Sequence, residues 1–311
     1  MSYKLEMASL PNCSVREVKR EKLRPIDRLE FEQSLWFHLV APVMMVLALV
    51  TFFKKTVYRV MGWGSPIYNS SWFDGWGRKT LAIRQGAASW RALHLIYNHD
   101  FSGNLVDDFW IGMRNAQAVR NRYKIACAEL AEAVNRFRRE SEIRILSLAC
   151  GSAESVIKTV ADFKAKGVTV RVLLVDRDQT ALDFAQGLAQ DSGVSSQVEV
   201  RRETVSNVLE ISREFAPHIV EMMGLLDYLP DDKAEKLLSQ IHSALPPGGV
   251  FLTCNIAPNS ERWFLYQVID WPMIYRWPDR LARILLRSGF VSVRLVYEPH
   301  KIHGVAVGQV E

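Results

Sequence analysis

The residues best suited to chemistry lie in a small-residue turn and in an acid that follows the next apolar run. The turn is Ala149-Cys150-Gly151-Ser152-Ala153, at the end of the apolar residues 143–149. Side chains this small let backbone N–H groups and the start of a helix approach a ligand. Asp176 comes 25 residues after Gly151, and its carboxylate can accept hydrogen bonds from both hydroxyls of a ribose. The pattern indicates a site for a nucleoside or nucleotide.

The glycine content of the turn separates the classes of nucleotide. A dinucleotide fingerprint, G-x-G-x-x-G, requires three glycines, whereas Gly151 is the single glycine among Ala149, Ser152 and Ala153. The Gly-Lys-Ser/Thr of a P-loop is absent. A ligand with ribose and adenine but no pyrophosphate fits better, which indicates S-adenosylmethionine. The turn resembles motif I of class I methyltransferases; the alternative is a buried strand, turn and helix without a ligand.

The C-terminal half alternates apolar runs of strand length with amphipathic stretches, a pattern typical of an α/β fold with a mostly parallel sheet. The predicted strands are 143–149, 170–175, 197–202, 218–223, 250–256, 291–297 and 303–309. The last two are expected to form an antiparallel hairpin. Over about residues 120–311 this order of elements resembles the Rossmann-like sheet of class I methyltransferases, including the Pro246-Pro247-Gly248-Gly249 turn before the fifth strand.

The resemblance implies which residues contact the cofactor. They end or follow the first four predicted strands: Ala149, Cys150, Gly151, Ser152, Asp176, Arg177, Thr204, Val205, Met223 and Gly224. Asp176 is the expected ribose acid, and Thr204 lies where such enzymes contact adenine. Cys150 is expected to be a packing residue, because a catalytic thiol needs a base beside it.

A narrower resemblance follows the fourth and fifth predicted strands. The segments Val119-Arg120-Asn121-Arg122, Gly224–Leu229, Asn255–Ser260 and Asp270–Arg276 are similar to the bacterial methyltransferases linked to 3-hydroxypalmitic acid methyl ester, a quorum signal. Leu226 stands where that group usually has Phe, and Arg262 follows Asn-Ser-Glu rather than Asn-Pro-Ser. The resemblance implies a fatty or acyl acid as methyl acceptor.

Five polar residues in these segments are candidates for the acceptor side of the site: Asp227, Tyr228, Asn255, Tyr275 and Arg276. Methyl transfer requires donor and acceptor to be held at attack distance with water excluded. A carboxylate acceptor needs only a clamp, which Arg276 is suited to provide, whereas a hydroxyl or amine needs a base. The alternatives are an ion pair of Arg276 with Asp270 or Asp279, a core position for Tyr275 and a loop-positioning role for Asp227.

An uncharged segment of 19 residues, Leu35–Phe53, is the second unusual feature of the chain. Its length just spans a bilayer core, and aromatic residues at both ends with Lys54-Lys55 beyond are typical membrane anchors. Three interpretations stay open: a transmembrane helix, a helix lying on the membrane surface, and a buried or dimer-forming helix of a soluble enzyme. The segment is not a signal peptide, because it begins too far into the chain and no small-residue cleavage site follows.

Charge is unevenly distributed along the 311 residues. Residues 1–141 contain 21 Lys and Arg against 13 Asp and Glu, a net charge of +8, whereas the rest carries −3, which gives +5 overall. No basic-aromatic pattern of a nucleic-acid module accompanies the excess, and an anionic membrane surface explains it at least as well. Four separated cysteines without a CxxC motif suggest a reducing compartment, and neither they nor the seven histidines form a metal-ligand pattern.

The remaining N-terminal residues predict helices around an aromatic connector. Helices are expected at Thr80–Tyr97 and Val106–Phe137. The Gly- and Trp-rich connector Met61–Gly77 is either a loop packed on the core or a lid over an apolar pocket. We therefore expect a surface arm at 1–30, a helical part at 31–119 that contains the apolar segment 35–53, and a methyltransferase domain at 120–311.

These observations predict a SAM-dependent methyltransferase that is cytoplasmic and membrane-associated. The expected acceptor is an oxygen, most simply a carboxylate, of a small lipophilic molecule. The alternatives are an N-methyltransferase of a small metabolite and a membrane-tethered SAM-binding protein without turnover. We expect no metal and no nucleic-acid partner; a homodimer stays open.

Overall fold

The computed structural model describes residues 10–18, 29–30, 33, 35–63, 77–98 and 104–311. The chain divides into two compact units, which are treated separately. The sheet unit comprises Met1–Leu29, Arg122–Pro258 and Ile274–Glu311. The helical unit comprises Glu30–Asn121 and Asn259–Met273. The predicted domain ranges differ from this division, because residues 259–273 group with the N-terminal helices.

Within the described residues the strands are β1 Cys13–Glu17, β2 Ile143–Leu148, β3 Val170–Asp176, β4 Val198–Arg202, β5 Ile219–Met222, β6 Val250–Ile256, β7 Ser292–Tyr297 and β8 His303–Gln309. The helices are α1 Leu35–Met61, α2 Arg78–Gln85, α3 Trp90–Tyr97, α4 Leu105–Gly112, α5 Arg114–Arg136, α6 Glu154–Lys164, α7 Gln179–Asp191, α8 Val208–Phe215, α9 Asp231–Ala244, α10 Arg262–Gln267 and α11 Pro278–Arg287. Short 3-10 turns occupy Ser195–Gln197, Val205–Asn207 and Leu225–Tyr228.

The sheet unit is built on one eight-stranded sheet in the order β1-β7-β8-β6-β5-β2-β3-β4. Strands β2 to β6 pair in parallel, whereas β8 is antiparallel to both β6 and β7. The carboxyl ends of β4, β3, β2, β5 and β6 therefore share one edge, where ligands bind in such sheets. This confirms the predicted α/β class with a mostly parallel sheet and an antiparallel C-terminal hairpin.

Helices cover both faces of this sheet, as a buried parallel sheet requires. On one face α8, α9 and α11 bury residues such as Leu238 and Leu281 against Leu146. On the other face α6, α7 and the end of α5 bury residues such as Phe163 against Ile145. Adjacent residues of β2 thus point into opposite layers, because side chains alternate along a strand.

The N-terminal arm requires a correction. Cys13–Glu17, within the predicted surface arm, forms the edge strand β1 and pairs in parallel with β7. Its side chains alternate between half-buried and exposed, as expected at a sheet edge. The rest of the arm lies largely outside the described residues.

The helical unit also departs from the predicted boundaries. The helix expected at Thr80–Tyr97 divides into α2 and α3 at a turn in which Ala88 has a φ of 62°. The helix expected at Val106–Phe137 divides at Met113, whose extended backbone ends α4. The predicted lid or loop at Met61–Gly77 lies mostly outside the described residues.

Candidate active site

The small-residue turn after β2 has an unusual backbone. Ala149, Gly151 and Ala153 have φ values of 49°, 54° and 50°, so every second residue is left-handed. The Ala153 N–H donates to the Cys150 carbonyl at 2.9 Å, which closes the turn before α6 begins. A left-handed residue with a Cβ costs about 1–2 kcal/mol. Strain of this kind concentrates at functional sites, and here it keeps the turn tight at the carboxyl end of β2.

Asp176 lies beside this turn at the end of β3. Its Oδ2 accepts a hydrogen bond from the Gly151 N–H at 2.9 Å, and its Oδ1 accepts one from the Asp178 N–H at 2.9 Å. A carboxylate offers about four lone-pair positions, so these two bonds leave acceptor capacity for the hydroxyls of a ribose. The half-buried carboxylate thus fits the predicted contact with S-adenosylmethionine.

The other predicted cofactor residues lie along the same edge of the sheet. Arg177 directly follows β3, Thr204 and Val205 follow β4, and Met223 and Gly224 follow β5. Gly224 has a φ of 90°, which a residue with a Cβ rarely adopts. Because β5, β2, β3 and β4 are neighbours, the structure places all ten predicted residues at one edge; their contacts with the cofactor stay a prediction.

Three of the five acceptor-side candidates form one buried network. Asn255 Nδ2 donates to Asp227 Oδ1 at 2.5 Å, and the Ile256 N–H donates to the same oxygen at 2.8 Å. Arg276 Nη1 donates to Asn255 Oδ1 at 2.7 Å. Burial raises the pKa of Asp227 to about 6 against the opposing effect of the Arg122 charge. The network holds the turn after β5 against the end of β6.

Arg276 does not match its predicted role as a substrate clamp. Its side chain is buried, with 1% of the residue exposed. Nε donates to Asp231 Oδ1 at 2.9 Å, and Nη2 lies 2.9 Å from the same oxygen as an ion pair. Nη1 donates to Leu226 O at 2.6 Å as well as to Asn255, and Nη2 donates to Leu229 O. All three guanidinium nitrogens therefore donate hydrogen bonds within the protein. Arg276 braces the turn after β5, and its carboxylate partner is Asp231 rather than Asp270 or Asp279.

The two tyrosines flank this network. Tyr228 ends the 3-10 turn after β5 and is exposed. Tyr275 is half-buried in a segment that runs beside β6, where the Ile274 N–H donates to Asp227 O at 2.7 Å and the Arg276 N–H donates to Ile256 O at 3.0 Å. Both tyrosines thus lie in segments next to the network, and these contacts assign neither of them a chemical step.

Two buried charges at this edge were missing from the sequence-based candidates. The Arg122 guanidinium lies 3.6 Å from Cys254 Sγ and about 4 Å from where a Cβ on Gly224 would stand. Glu221, in the middle of β5, accepts a hydrogen bond from Ser147 Oγ at 2.5 Å, and burial raises its pKa to about 7. An acid inside the apolar run IVEMM was the available signal for Glu221, and the Val-Arg-Asn-Arg segment was the signal for Arg122.

His303 is the third missing residue. It begins β8 directly opposite Ile256, and it is buried. Neither ring nitrogen has a hydrogen-bond partner in the structure as described. Burial, and then the Arg122 charge, lowers its pKa well below the usual value, so the ring is neutral at pH 7. Nothing in the sequence distinguishes this histidine, because its environment depends on strand pairing.

Cys150 lies in the turn after β2, and its thiol is neither suited to act as a nucleophile nor part of a metal-ligand group among the described residues. Burial, with the Asp176 and Glu221 charges, raises the pKa of the Cys150 thiol, so the reactive thiolate is disfavoured. Among the described residues, no group of three or more His, Cys, Asp or Glu side chains is arranged to hold a metal ion.

Comparison with known families identifies the domain. Residues 145–249 match the family model described as a methyltransferase domain. The matched segment covers about a third of the chain. It contains the turn after β2, Asp176 and the residues after β4 and β5, and the match confirms the predicted SAM-dependent enzyme. No curated protein sequence matches the chain.

Solved structures share the fold of this methyltransferase domain at low sequence identity. A possible exported protein from Bordetella parapertussis aligns with a TM-score of 0.63 and 17% identity, over 85% of this chain and 96% of that one. Magnesium protoporphyrin IX methyltransferase (ChlM) from Synechocystis PCC 6803, solved with bound SAH, aligns with a TM-score of 0.52 and 12% identity, over 75% and 100%. The CurJ carbon methyltransferase aligns with a TM-score of 0.51 and 17% identity, over 75% and 66%.

S-adenosylmethionine is the cofactor of the methyltransferase domain, as predicted from the turn and Asp176. It supplies an electrophilic methyl group on a sulfonium. The turn after β2, the Asp176 carboxylate and Gly224 are the parts of this chain suited to hold it. One of the neighbours is a carbon methyltransferase by name, so this fold does not fix the atom that is methylated.

Proposed function

We propose that the enzyme transfers the methyl group of S-adenosylmethionine to a carboxylate oxygen of a lipophilic acid. The buried Arg122 guanidinium is the observation that carries this proposal. It lies at the carboxyl ends of β5 and β6, beside Gly224 and Cys254. Arginine binds carboxylates in two-point fashion, and a buried guanidinium binds them more strongly than one in water. Arg122 thus replaces Arg276 as the candidate clamp.

The bonding of Asp227 also suits an acceptor that has no proton to lose. Its Oδ1 is used by Asn255 and Ile256, and its backbone oxygen accepts from the Ile274 N–H. These bonds give Asp227 a structural role that needs no proton transfer, whereas a general base must reach the proton it removes. A carboxylate oxygen attacks the methyl carbon with its own electron pair while the carbon–sulfur bond breaks and its electrons return to sulfur. No proton moves in that step.

Two features support a lipophilic acceptor. The segments after β5 and β6 resemble the group that makes a fatty-acid methyl ester, which is an analogy at the level of the family. The helix α1 exposes a large apolar surface, and it is long and apolar enough to cross a membrane. A membrane-associated cytoplasmic enzyme would meet acyl acids where they dissolve.

Product chemistry tests the acceptor atom. The protein is incubated with SAM carrying a tritiated methyl group and with palmitic acid, hexadecanol or hexadecylamine, three acceptors that share one alkyl chain. We expect label in the acid product, released as methanol by mild base, because esters hydrolyse and ethers and amines do not. Arg122→Lys is expected to lower transfer at least tenfold, whereas Arg136→Lys, on the exposed end of α5, should not. Labelled amine would contradict the proposal, and binding of SAH without transfer to any acceptor would favour a non-catalytic protein.

A hydroxyl acceptor with His303 as the base is the second candidate. The observation that favours it is the pair of buried ring nitrogens without a hydrogen-bond partner in the described part of the chain. A neutral imidazole is in the form that accepts a proton, and the lowered pKa of His303 makes it a weaker base than an exposed histidine. Labelled product from hexadecanol that survives base, with transfer lost in His303→Gln, would select this candidate over the carboxylate.

A further inference from the structure

We propose that α1 lies flat in the interfacial region of an anionic bilayer, with its exposed apolar face among the acyl chains, and does not cross the membrane. This inference rests on the membrane association proposed above and adds the lipid-facing surface, its orientation and the class of lipid. It decides between the transmembrane, surface and buried interpretations that the sequence left open.

The two sides of α1 differ sharply in their surroundings. Val40, Met44, Ala48, Thr51 and Lys55 are buried and recur every three or four residues, so they form one stripe. Twelve large apolar residues of the helix are exposed: Leu35, Trp36, Leu39, Val43, Met45, Val46, Leu49, Val50, Phe53, Val57, Val60 and Met61. Most of them lie opposite the buried stripe. An exposed apolar surface of this length marks an interaction site.

Protein covers the buried side of the helix from Phe37 to Lys55. Near its start Phe37 stacks on Phe109 of α4, with 4.7 Å between the ring centroids. In the fifth turn Phe52 contacts Trp263 of α10 at 5.6 Å. The helix is therefore half enclosed, and a buried helix of a soluble protein would be enclosed on both sides.

The same contacts argue against a spanning helix. Lys55 donates to the Asp270 carboxylate and to Gln267 O, and Arg84 lies 3.5 Å from the other Asp270 oxygen. From Phe37 to Lys55 the packed stretch is about 27 Å long, close to the roughly 30 Å hydrocarbon core of a bilayer. A spanning α1 would take these charged residues of the helical unit into the acyl chains, where such groups are costly.

The charges of α1 favour an anionic surface. Besides Lys55, which pairs with Asp270 on the buried side, the helix carries Lys54 and Arg59 and no acidic residue. At 100° per residue, Lys54 and Arg59 fall on the two borders between the buried stripe and the apolar face. Long cationic side chains at such borders reach the headgroups while their stems stay in apolar surroundings. Each cation near an anionic leaflet strengthens binding.

Flotation with vesicles tests the surface and the lipid class. The full-length protein is mixed with vesicles of phosphatidylcholine, or of equal parts phosphatidylcholine and phosphatidylglycerol. We expect at least tenfold tighter binding to the anionic vesicles. The triple substitution Val46→Gln, Leu49→Gln and Phe53→Gln should abolish it, because these residues centre the exposed face. Val291→Gln, at an exposed apolar residue of the sheet unit, should leave binding unchanged.

Labelling of the helix ends tests the orientation. Gln33→Cys and Trp63→Cys variants, whose added thiols lie just outside the two ends of α1, are bound to sealed vesicles and treated with a membrane-impermeant maleimide. Both added thiols should react to the same extent from outside, above the background of the native cysteines. Protection of one end until detergent is added would show that the helix spans, and it would overturn the proposal.

Other outcomes would overturn it as well. Absence of binding to either kind of vesicle would show that the exposed face of α1 does not bind lipid. A reversible dimer that the triple substitution abolishes would show that a second copy of the chain covers this face. Transfer to palmitic acid dispersed in detergent separates this inference from the proposed function. The triple variant should keep the wild-type turnover number in that assay. A protein that does not bind vesicles but methylates palmitic acid would refute only the membrane inference. A wild-type protein that binds vesicles but does not methylate palmitic acid would refute only the proposed function.

Discussion

At the scale of single residues, Asp176 links the local turn to the cofactor. Its two oxygens accept N–H groups from Gly151 and Asp178, so the carboxylate is held in place before any ligand binds. Charge-assisted hydrogen bonds to a ribose are stronger than neutral ones. The residue thus combines a structural and a binding role, and a substitution that preserves its shape separates them.

We expect Asp176→Asn to weaken SAH binding by about 1–3 kcal/mol, because the charge-assisted bonds are lost while the side chain keeps its size. Titration calorimetry measures this. Asp178→Asn is the matched control, because Asp178 caps α7 through the Thr180 N–H and Asn caps a helix equally well. Equal affinity of Asp176→Asn and the wild type would show that Asp176 does not contact the ribose.

Arg276 and Arg280 share the Asp231 carboxylate but differ in burial. Arg276 also bonds Asn255 and two carbonyls, whereas Arg280 is exposed and touches Asp231 Oδ2 at 2.6 Å. We expect Arg276→Ala to lower the free energy of unfolding by about 3 kcal/mol or more, and Arg280→Ala by less than about 1 kcal/mol. Urea denaturation measures both. Similar small losses would refute the role of Arg276 as a brace.

Glu221 makes stability depend on pH. Burial raises its pKa from 4.5 to about 7, so the folded state holds the proton more tightly than the unfolded state. The stability this provides is complete below about pH 4.5 and is lost as the pH rises through about 7, by about 3 kcal/mol. Glu221→Gln should remove that part of the slope in denaturation between about pH 5 and pH 8. Exposed Glu210→Gln should retain the slope; a slope unchanged in Glu221→Gln would contradict the assignment.

At the scale of elements, the turn after β2 contains three residues with left-handed backbone and leads directly into α6. Two of them are alanines, which hold this backbone only because β2 and α6 fix both ends. A glycine would relieve the strain but would make the unfolded chain more flexible, and the two effects oppose each other. Replacing one left-handed and one right-handed alanine with glycine, and comparing the two changes in stability, isolates the energy of the backbone strain.

We expect Ala149→Gly to be more favourable than Ala165→Gly by about 1–2 kcal/mol. Ala149 has a φ of 49°, whereas Ala165, at the end of α6, has a φ of −60°. Both substitutions free the unfolded chain equally, so the difference reports the left-handed backbone. Chemical denaturation measures it, and equal effects would show that the turn carries no strain.

At the scale of the whole molecule, both units depend on the first 61 residues. β1 covers the edge of β7 in the sheet unit, and α1 packs on α4 and α10 in the helical unit. Deletion of α1 would remove its exposed apolar face and could be expected to improve solubility. It would also remove the buried side of the helix, which packs on α4 and α10.

We expect deletion of residues 1–61 to lower the thermal midpoint by more than about 10 °C, or to cause aggregation. Phe109 and Trp263 would lose their partners on α1, and Asp270 would lose the Lys55 ammonium. The triple Gln variant of the exposed face should keep the wild-type midpoint. Thermal denaturation in detergent compares the three proteins; a deletion as stable as the wild type would refute this dependence.

The sequence by itself determined what local patterns encode. The apolar runs placed β2 to β8 within a residue or two, because burial along a strand repeats with a fixed period. The helical periods indicated helices at Thr80–Tyr97 and Val106–Phe137 but not the turns that divide each of them into two. The small-residue turn and Asp176 indicated the cofactor, since the residues expected to contact it lie in two short segments that the sequence shows directly. The apolar run of α1 was equally visible, although its surroundings were not.

Only the tertiary structure decided which distant groups meet. Arg276 pairs with Asp231, 45 residues away, and His303 lies opposite Ile256 because of strand pairing. Arg122 enters the site from α5, which precedes β2 in sequence. β1 belongs to the sheet only because β7 offers it an edge. Such partnerships depend on burial and on the order of strands, which no local pattern of the chain contains, and they changed the candidate clamp from Arg276 to Arg122.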